Sequence, residues 1–299
     1  MSEATPKIDP KDIVVVDIAS WVERARSDPQ AYLERQATEV FIAAIGITPS
    51  YASKVFLKGG VLMGIRYDSP RQTADLDFTA SFNPKTVEIG DIRAEFDDAV
   101  IRAAAQIGYP SLVCRVQTVR ARPRQNSLEI DSFPALEMKI AYALRDSPQE
   151  IRLRAGQCPT ILEADISFNE PIDAIQVVRL GKDGPEIKAY SLLDLIAEKL
   201  RALLQQVVRN RYRRQDVYDL AYLVERFSLD RNEKAHLLQV FRTKSASRGI
   251  NPDRNSLSRP QVVQRARAEW DTLTLELGDL PNFEERFEIV NRLYRSLPW

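Results

Sequence analysis

Between Leu112 and Gly181 the chain alternates apolar and polar residues in four runs, LVCRVQTVRAR, ALEMKIAYAL, TILEADISF and AIQVVRLG, parted by polar or Pro/Gly turns. A period of two is that of half-buried β-strands. From Ser191 onward the apolar spacing becomes helical and stays so, broken only at RGINPDRNSLSRP and near Gly278 to Pro281. Strand pattern and helix pattern are therefore segregated. The expectation is an α+β protein: a mixed sheet flanked by helices over residues 1–185, then an all-helical portion over 186–299. A chain of 299 residues is long enough for two such domains.

The first hundred residues carry both periods. Trp21, Val22, Ala25, Tyr32, Val40, Phe41, Ala44 and Ile45 recur at helical spacing, so 12–45 reads as helices. Lys54 to Leu57 reads as a short strand running into Lys58-Gly59-Gly60, with a helical turn or two in VLMGIRY. Leu76, Phe78 and Ala80 alternate with Asp75, Asp77 and Thr79, a strand; Asp91 to Gln106 reads as a helix with Ile92, Phe96, Ala99, Val100 and Ala103 on one stripe.

Composition narrows the chemistry. There is one histidine, His236, and two cysteines, Cys114 and Cys158. A structural zinc site needs four Cys or His ligands, and a histidine-dependent nucleophile would rest wholly on His236. His236 and both cysteines read as structural. Two unclustered cysteines suit a reducing cytoplasm, the N-terminal MSEATPKIDPKD has no apolar core of a secretory signal, and no run of eighteen apolar residues suggests a membrane span. Carboxylates, lysine, arginine and metal remain as the working groups. Net charge is zero, but residues 199–299 hold 19 Lys/Arg against 13 Asp/Glu and the rest hold 23 against 29. A basic half and an acidic half are hidden in the total.

Gly59-Gly60 at a strand end suits close approach of a phosphate to backbone N–H groups, although a bare Gly-Gly is also an ordinary turn. Asp75 and Asp77, two apart in a strand, share one face. Their mutual repulsion calls for solvent, a shared proton or a divalent cation. Magnesium binds through one or two carboxylates plus phosphate oxygens, and a pair of ions serves phosphoryl or nucleotidyl transfer. Glu163, Asp165 and Ser167 alternate with Leu162, Ala164 and Ile166, so Asp165 becomes a third carboxylate of the site if its strand neighbours that of Asp75 and Asp77. A solvated strand face accounts for either motif taken alone. Lys199 stands four after Leu195 and three after Ile196 on an apolar helical stripe; it snorkels there or meets an anion.

FLKGGVLMGIRYDSPRQTADLDF resembles the first motif of the polymerase-β-like nucleotidyltransferases, and more narrowly that of the AbiEii/AbiGii toxin family with its MenT-type members. Lys58, Gly59, Gly60, Arg71, Thr73, Asp75, Leu76 and Asp77 stand at the matching positions. ADISFNEP resembles the family's later strand, making Asp165 the third acid. LIAEKLRA resembles its Leu-x-x-x-Lys-x-x-Ala motif through Leu195, Lys199 and Ala202, and RNRYRRQDVYDLAYL resembles its Arg-Asp-x-x-Asp segment through Asp216 and Asp219, with Gln215 where the arginine is usual.

The resemblance implies a polymerase-β-like fold and an enzyme that takes a nucleoside triphosphate with Mg2+, two ions. Asp75, Asp77 and Asp165 would be metal ligands. Lys58, Gly59, Gly60, Arg71, Thr73 and Lys199 would lie at the nucleotide, Asp75, Asp77, Asp165 and Lys199 would serve catalysis, and Asp216 would support from behind. It also implies a toxin that adds pyrimidine nucleotides to the 3′ end of tRNA, held in check by a cognate antitoxin. Transfer to a protein hydroxyl, or nucleotide binding without turnover, remain alternatives. Arg209, Arg211, Arg213 and Arg214 around Tyr212, and alternating Arg120, Arg122 and Arg124, suit an RNA backbone or a solvated face.

Overall fold

The computed structural model describes residues 13–83, 88–122 and 133–299. Arg124 and the N-terminal twelve residues lie outside them. Among the described residues the chain opens with β1 (Ile13–Val16), α1 (Ile18–Glu23), α2 (Pro29–Ile47) and α3 (Pro49–Ala52). Asp28 caps α2 by accepting from the N–H groups of Gln30 and Ala31, with Pro29 at the first helical position. Then come β2 (Val55–Lys58), α4 (Gly59–Arg66), β3 (Leu76–Ala80), α5 (Ile89–Gln106), β4 (Leu112–Arg122), β5 (Ala135–Leu144), α6 (Pro148–Arg154), β6 (Ile161–Phe168), β7 (Ile175–Leu180) and β8 (Glu186–Tyr190).

These strands form one mixed sheet in the order β1-β7-β8-β2-β3-β6-β5-β4. β3 runs antiparallel to β2 and parallel to β6. The parallel β3–β6 pair is the decisive contact, because α5, β4, β5 and α6 all intervene in sequence. One sheet face buries Leu76, Phe78, Leu136, Leu162, Ala164 and Ile166 with Phe41 of α2 and Phe96 of α5, whose rings stack at 5.3 Å. The opposite face turns toward the C-terminal helices.

Those helices are α7 (Leu192–Arg209), α8 (Arg214–Arg226), α9 (Arg231–Ala246), α10 (Pro260–Arg267), α11 (Thr274–Leu277) and α12 (Phe283–Ser296). One hydrophobic cluster runs from Phe41 and Phe78 through Leu200 and Leu220 to Phe241 and Tyr294, so sheet and helices share a core. No described helix is long and apolar enough to cross a membrane.

Three elements differ from the sequence reading. Ile13–Val16 is an edge strand, not helix: four β-branched residues pair parallel with β7. α6 interrupts the expected run of strands, started by Ser147, whose hydroxyl accepts from the Glu150 N–H, and by Pro148. β8 extends the sheet past residue 185 to Tyr190, pairing with β2 and β7. The helical portion begins only at Ser191, which caps α7 by accepting from the Asp194 N–H.

Candidate active site

The glycine pair begins α4 directly at the end of β2. Gly59 has φ +70°, the left-handed region, and a Cβ there would sit 2.2 Å from Asp77 Oδ2. A Cβ on Gly60 would fall 2.8 Å from Thr73 Cγ2 and 2.9 Å from Arg71 Nη2. Both positions are glycine because the Arg71–Asp77 segment lies on the helix start. Lys58, at the cap position of α4, makes no side-chain cap bond. The first N–H groups of α4 therefore sit beside Asp77 without side-chain capping, as an anion site requires.

Across the sheet the register lines up charged residues. Lys58 pairs with Asp77, Asp77 with Asp165, Asp165 with Glu137, and Glu137 with Arg120. Residues in register share a face, so five strands present one charged row. Asp75 precedes β3 and is exposed. Burial pushes the Asp77 carboxyl up to about 6, with Glu198, Asp165 and Asp75 adding to it against Lys58. Asp75, though partly exposed, is raised first by the partial loss of hydration at its carboxyl and then by Glu163 and Asp165. Arg122 donates to Asp165 Oδ2 at 3.2 Å and to Glu137 Oε1 at 3.0 Å.

Among the described residues no three His, Cys, Asp or Glu side chains stand close enough together to form a ready ligand set. The chemistry of the row nonetheless suits a hard divalent cation. Its donors are carboxylate oxygens, and Asp75 and Asp77 sit above their ordinary pKa because burial strips their hydration and neighbouring acids repel their charge. The fit is one of charge and donor type.

The three cations singled out in the sequence all line the same cavity, of about 380 Å³, and each already carries two acids. Lys58 is buried and bonded to Glu170, with Glu198 at 3.2 Å. Burial pulls its ammonium down, and the two acids more than offset that, holding it at about 12. Arg71 grips Asp219 with Nε at 2.9 Å and Nη2 at 3.0 Å, and donates Nη1 to Glu276 at 2.7 Å. Lys199 donates to Asp219 at 2.6 Å and Asp216 at 3.0 Å. Burial alone would raise Asp219; Arg71 and Lys199 bring it to about 2. Thr73 lines the cavity against Gly60.

Several of these partners carried no sequence signal. Glu170 accepts from Lys58, from Thr79 Oγ1 at 3.1 Å and from Arg248 at 2.9 Å. Its loop is pinned by buried Asp194 and Lys244: Asp194 accepts from the Ala174 N–H at 2.7 Å, and Lys244 donates to Pro171 O at 2.6 Å. Glu276 lies 205 residues from Arg71, too far for any spacing rule to join them. The nearness of Glu170 to the ADISF strand was the one available hint.

Six arginines complete the cavity wall: Arg122, Arg201, Arg209, Arg211, Arg213 and Arg248. Arg209 is pulled down by burial and by the like charges of Arg201, Arg211, Arg213 and Arg122. Tyr212 is exposed beside them at 45%. Arg214 turns away to Glu269 at 3.4 Å. His236 bonds Asp173, and Cys114 and Cys158 are buried and unpaired, all away from the cavity lining.

The family described as "Nucleotidyl transferase AbiEii toxin, Type IV TA system" matches residues 42–289. Among solved structures the chain is similar to MenT4, a nucleotidyltransferase toxin from Mycobacterium tuberculosis H37Rv, with TM-score 0.55 and 14% identity over 94% of this chain and 90% of that one. At that identity the likeness is one of fold. It also resembles JHP933 from Helicobacter pylori, with TM-score 0.48 and 14% identity over 90% and 92% of the two chains. No curated protein matches it in sequence.

Proposed function

The chain belongs to the AbiEii nucleotidyltransferase toxin family and is a nucleotidyltransferase; within that class we propose that it transfers nucleotides, pyrimidine ones by preference, from a nucleoside triphosphate to the 3′ end of tRNA and so stops translation. A type IV toxin–antitoxin family implies an antitoxin partner, and we take it to be encoded alongside. The observation that carries the reading is the in-register Asp77–Asp165 pair beside Gly59 and Gly60, in a cavity walled by arginine.

Asp75, Asp77 and Asp165 would hold Mg2+, two ions, which when bound supply positive charge at the attacking and leaving oxygens. The chain's own groups do the rest. The N–H groups at the start of α4 receive phosphate oxygens. Lys58, Arg71 and Lys199 meet phosphate charge from positions fixed by their acid partners, and Thr73 keeps the Arg71 loop seated on Gly60. Asp165, oriented by Arg122, accepts the proton of the acceptor hydroxyl. Asp216 holds Lys199 in line. Catalysis is then chiefly positioning and charge neutralisation.

The arginine wall favours a polyanionic acceptor over a protein hydroxyl. The test incubates the protein and Mg2+ with each labelled nucleoside triphosphate in the presence of total RNA and total protein. Label at tRNA 3′ ends, read by sequencing those ends, supports the reading. Label in protein moves the acceptor to a side-chain hydroxyl, and label in neither overturns the proposal.

A further inference from the structure

Among the described residues, Asp219 and Glu170 at the cavity have both carboxylate oxygens filled by donors, and Asp216 does not. Asp219 uses Oδ1 for Arg71 Nε and Oδ2 for Arg71 Nη2 and Lys199. Glu170 uses Oε1 for Arg248 and Oε2 for Lys58, Thr79 and Tyr190. Asp216, in the first turn of α8, is only 8% exposed and gives Oδ1 to Lys199 at 3.0 Å. Its Oδ2 is buried and has no hydrogen-bond partner among the described residues. Arg213 Nη1 stands 3.8 Å away, beyond hydrogen-bond reach. A carboxylate oxygen buried without a donor, on a residue that lines the cavity, calls for a donor from a ligand.

That donor has a restricted identity. Phosphate oxygens of a triphosphate only accept, and a carboxylate repels them. The nucleotide's donors are its ribose hydroxyls and, depending on the base, ring or amino N–H groups. Asp216 is joined to the glycine pair through a chain of contacts. Gly60 abuts Arg71, Arg71 holds Asp219, and Lys199 bridges Asp219 to Asp216. With the triphosphate at the glycine end, the sugar comes next along this wall. Ribose hydroxyls are also common to every nucleotide, whereas base donors are not.

We infer that Asp216 Oδ2 accepts a hydrogen bond from a ribose hydroxyl of the bound nucleoside triphosphate and selects ribonucleotides over their deoxy counterparts. The assignment rests on the nucleotidyltransferase reading of the cavity. It is tested by equilibrium binding, with Mg2+, of each ribonucleoside triphosphate and its 2′-deoxy and 3′-deoxy analogues to the full chain and to Asp216→Asn. The asparagine oxygen stays with Lys199 and turns an NH2 donor to the ligand. The wild type is expected to bind the ribonucleotide at least about tenfold more tightly than one of the two analogues. Asp216→Asn, checked as folded, should narrow that ratio, because its neutral NH2 donates to the hydroxyl oxygen in place of the stronger bond the carboxylate accepts. Asp216→Glu, which keeps the charge but moves the oxygen, should also narrow it and serves if the asparagine variant fails to fold. A ratio unchanged in folded variants, or a change in base preference instead, overturns the assignment while leaving the cavity a nucleotide site. A wild type that binds no nucleoside triphosphate overturns both.

Discussion

Two walls of one cavity have their charges compensated to different degrees. On the sheet, Asp75 and Asp77 lie beside Asp165 and Glu163 and are held above their ordinary pKa. Facing it, Lys199 of α7 and Arg71 of the α4–β3 loop each carry two acids, and Asp219 of α8 sits at about 2. On the sheet wall the acids outnumber Lys58 and Arg122, whereas Lys199 and Arg71 opposite are neutralised within the fold. A cation has an electrostatic reason to enter at the first wall. The second is a preset scaffold whose cations reach a ligand only by sharing it with their acids.

Asp77→Asn probes the contrast hardest. Activity is expected to fall about 10³-fold, roughly 4 kcal/mol of transition-state stabilisation, while stability rises. Asp77 has a folded pKa above its unfolded one. It therefore favours folding below about pH 4, and that contribution is lost as pH rises through about 6. At neutral pH the ionised group costs the fold about 2 kcal/mol after allowance for its partial exposure. Thermal melts at pH 7.5 and pH 4.5 check this: the variant should gain clearly more at the higher pH, and a loss at both would make Asp77 a structural acid.

Lys199→Met should do the reverse on the opposite wall. It leaves Asp216 without a hydrogen-bonding donor and Asp219 with Arg71 alone, so unfolding in denaturant should show a loss of about 3 kcal/mol. A variant as stable as the wild type would mean that this wall is not a scaffold. Gly59→Ala comes next, costing about 1–2 kcal/mol for its left-handed backbone. It should also abolish transfer, because the methyl meets Asp77; an active variant would separate the glycine from the acid. The smallest effect belongs to Arg209→Ala and Arg211→Ala. Each should lower the slope of log K for RNA against log salt by about 0.7, with transfer at low salt little changed.

The motif residues were legible because each lies in a short local pattern. Asp75 and Asp77 alternate with Leu76 and Phe78, and the same period of two put Asp165 on a strand face. Helical spacing likewise put Lys199 on the buried stripe of α7. β8 escaped because EIKAY is short and abuts the α7 cap, and β1 because its partner β7 lies over 150 residues away. Glu276 escaped altogether: one glutamate on a four-residue helix carries no period, and only the fold brings it to Arg71.

Local covalent order, through side-chain period, glycine pairs and capping residues, determined the segregation into sheet and helices and the types of residue available for chemistry. Tertiary structure alone decided that β6 lies parallel to β3 with Asp165 opposite Asp77, that the cations are already bound to Glu170, Asp219 and Glu276, and that one oxygen of Asp216 is left open. Period is a property of neighbours along the chain, whereas charge compensation in a low-dielectric cavity depends on which distant groups the fold packs within a few ångströms.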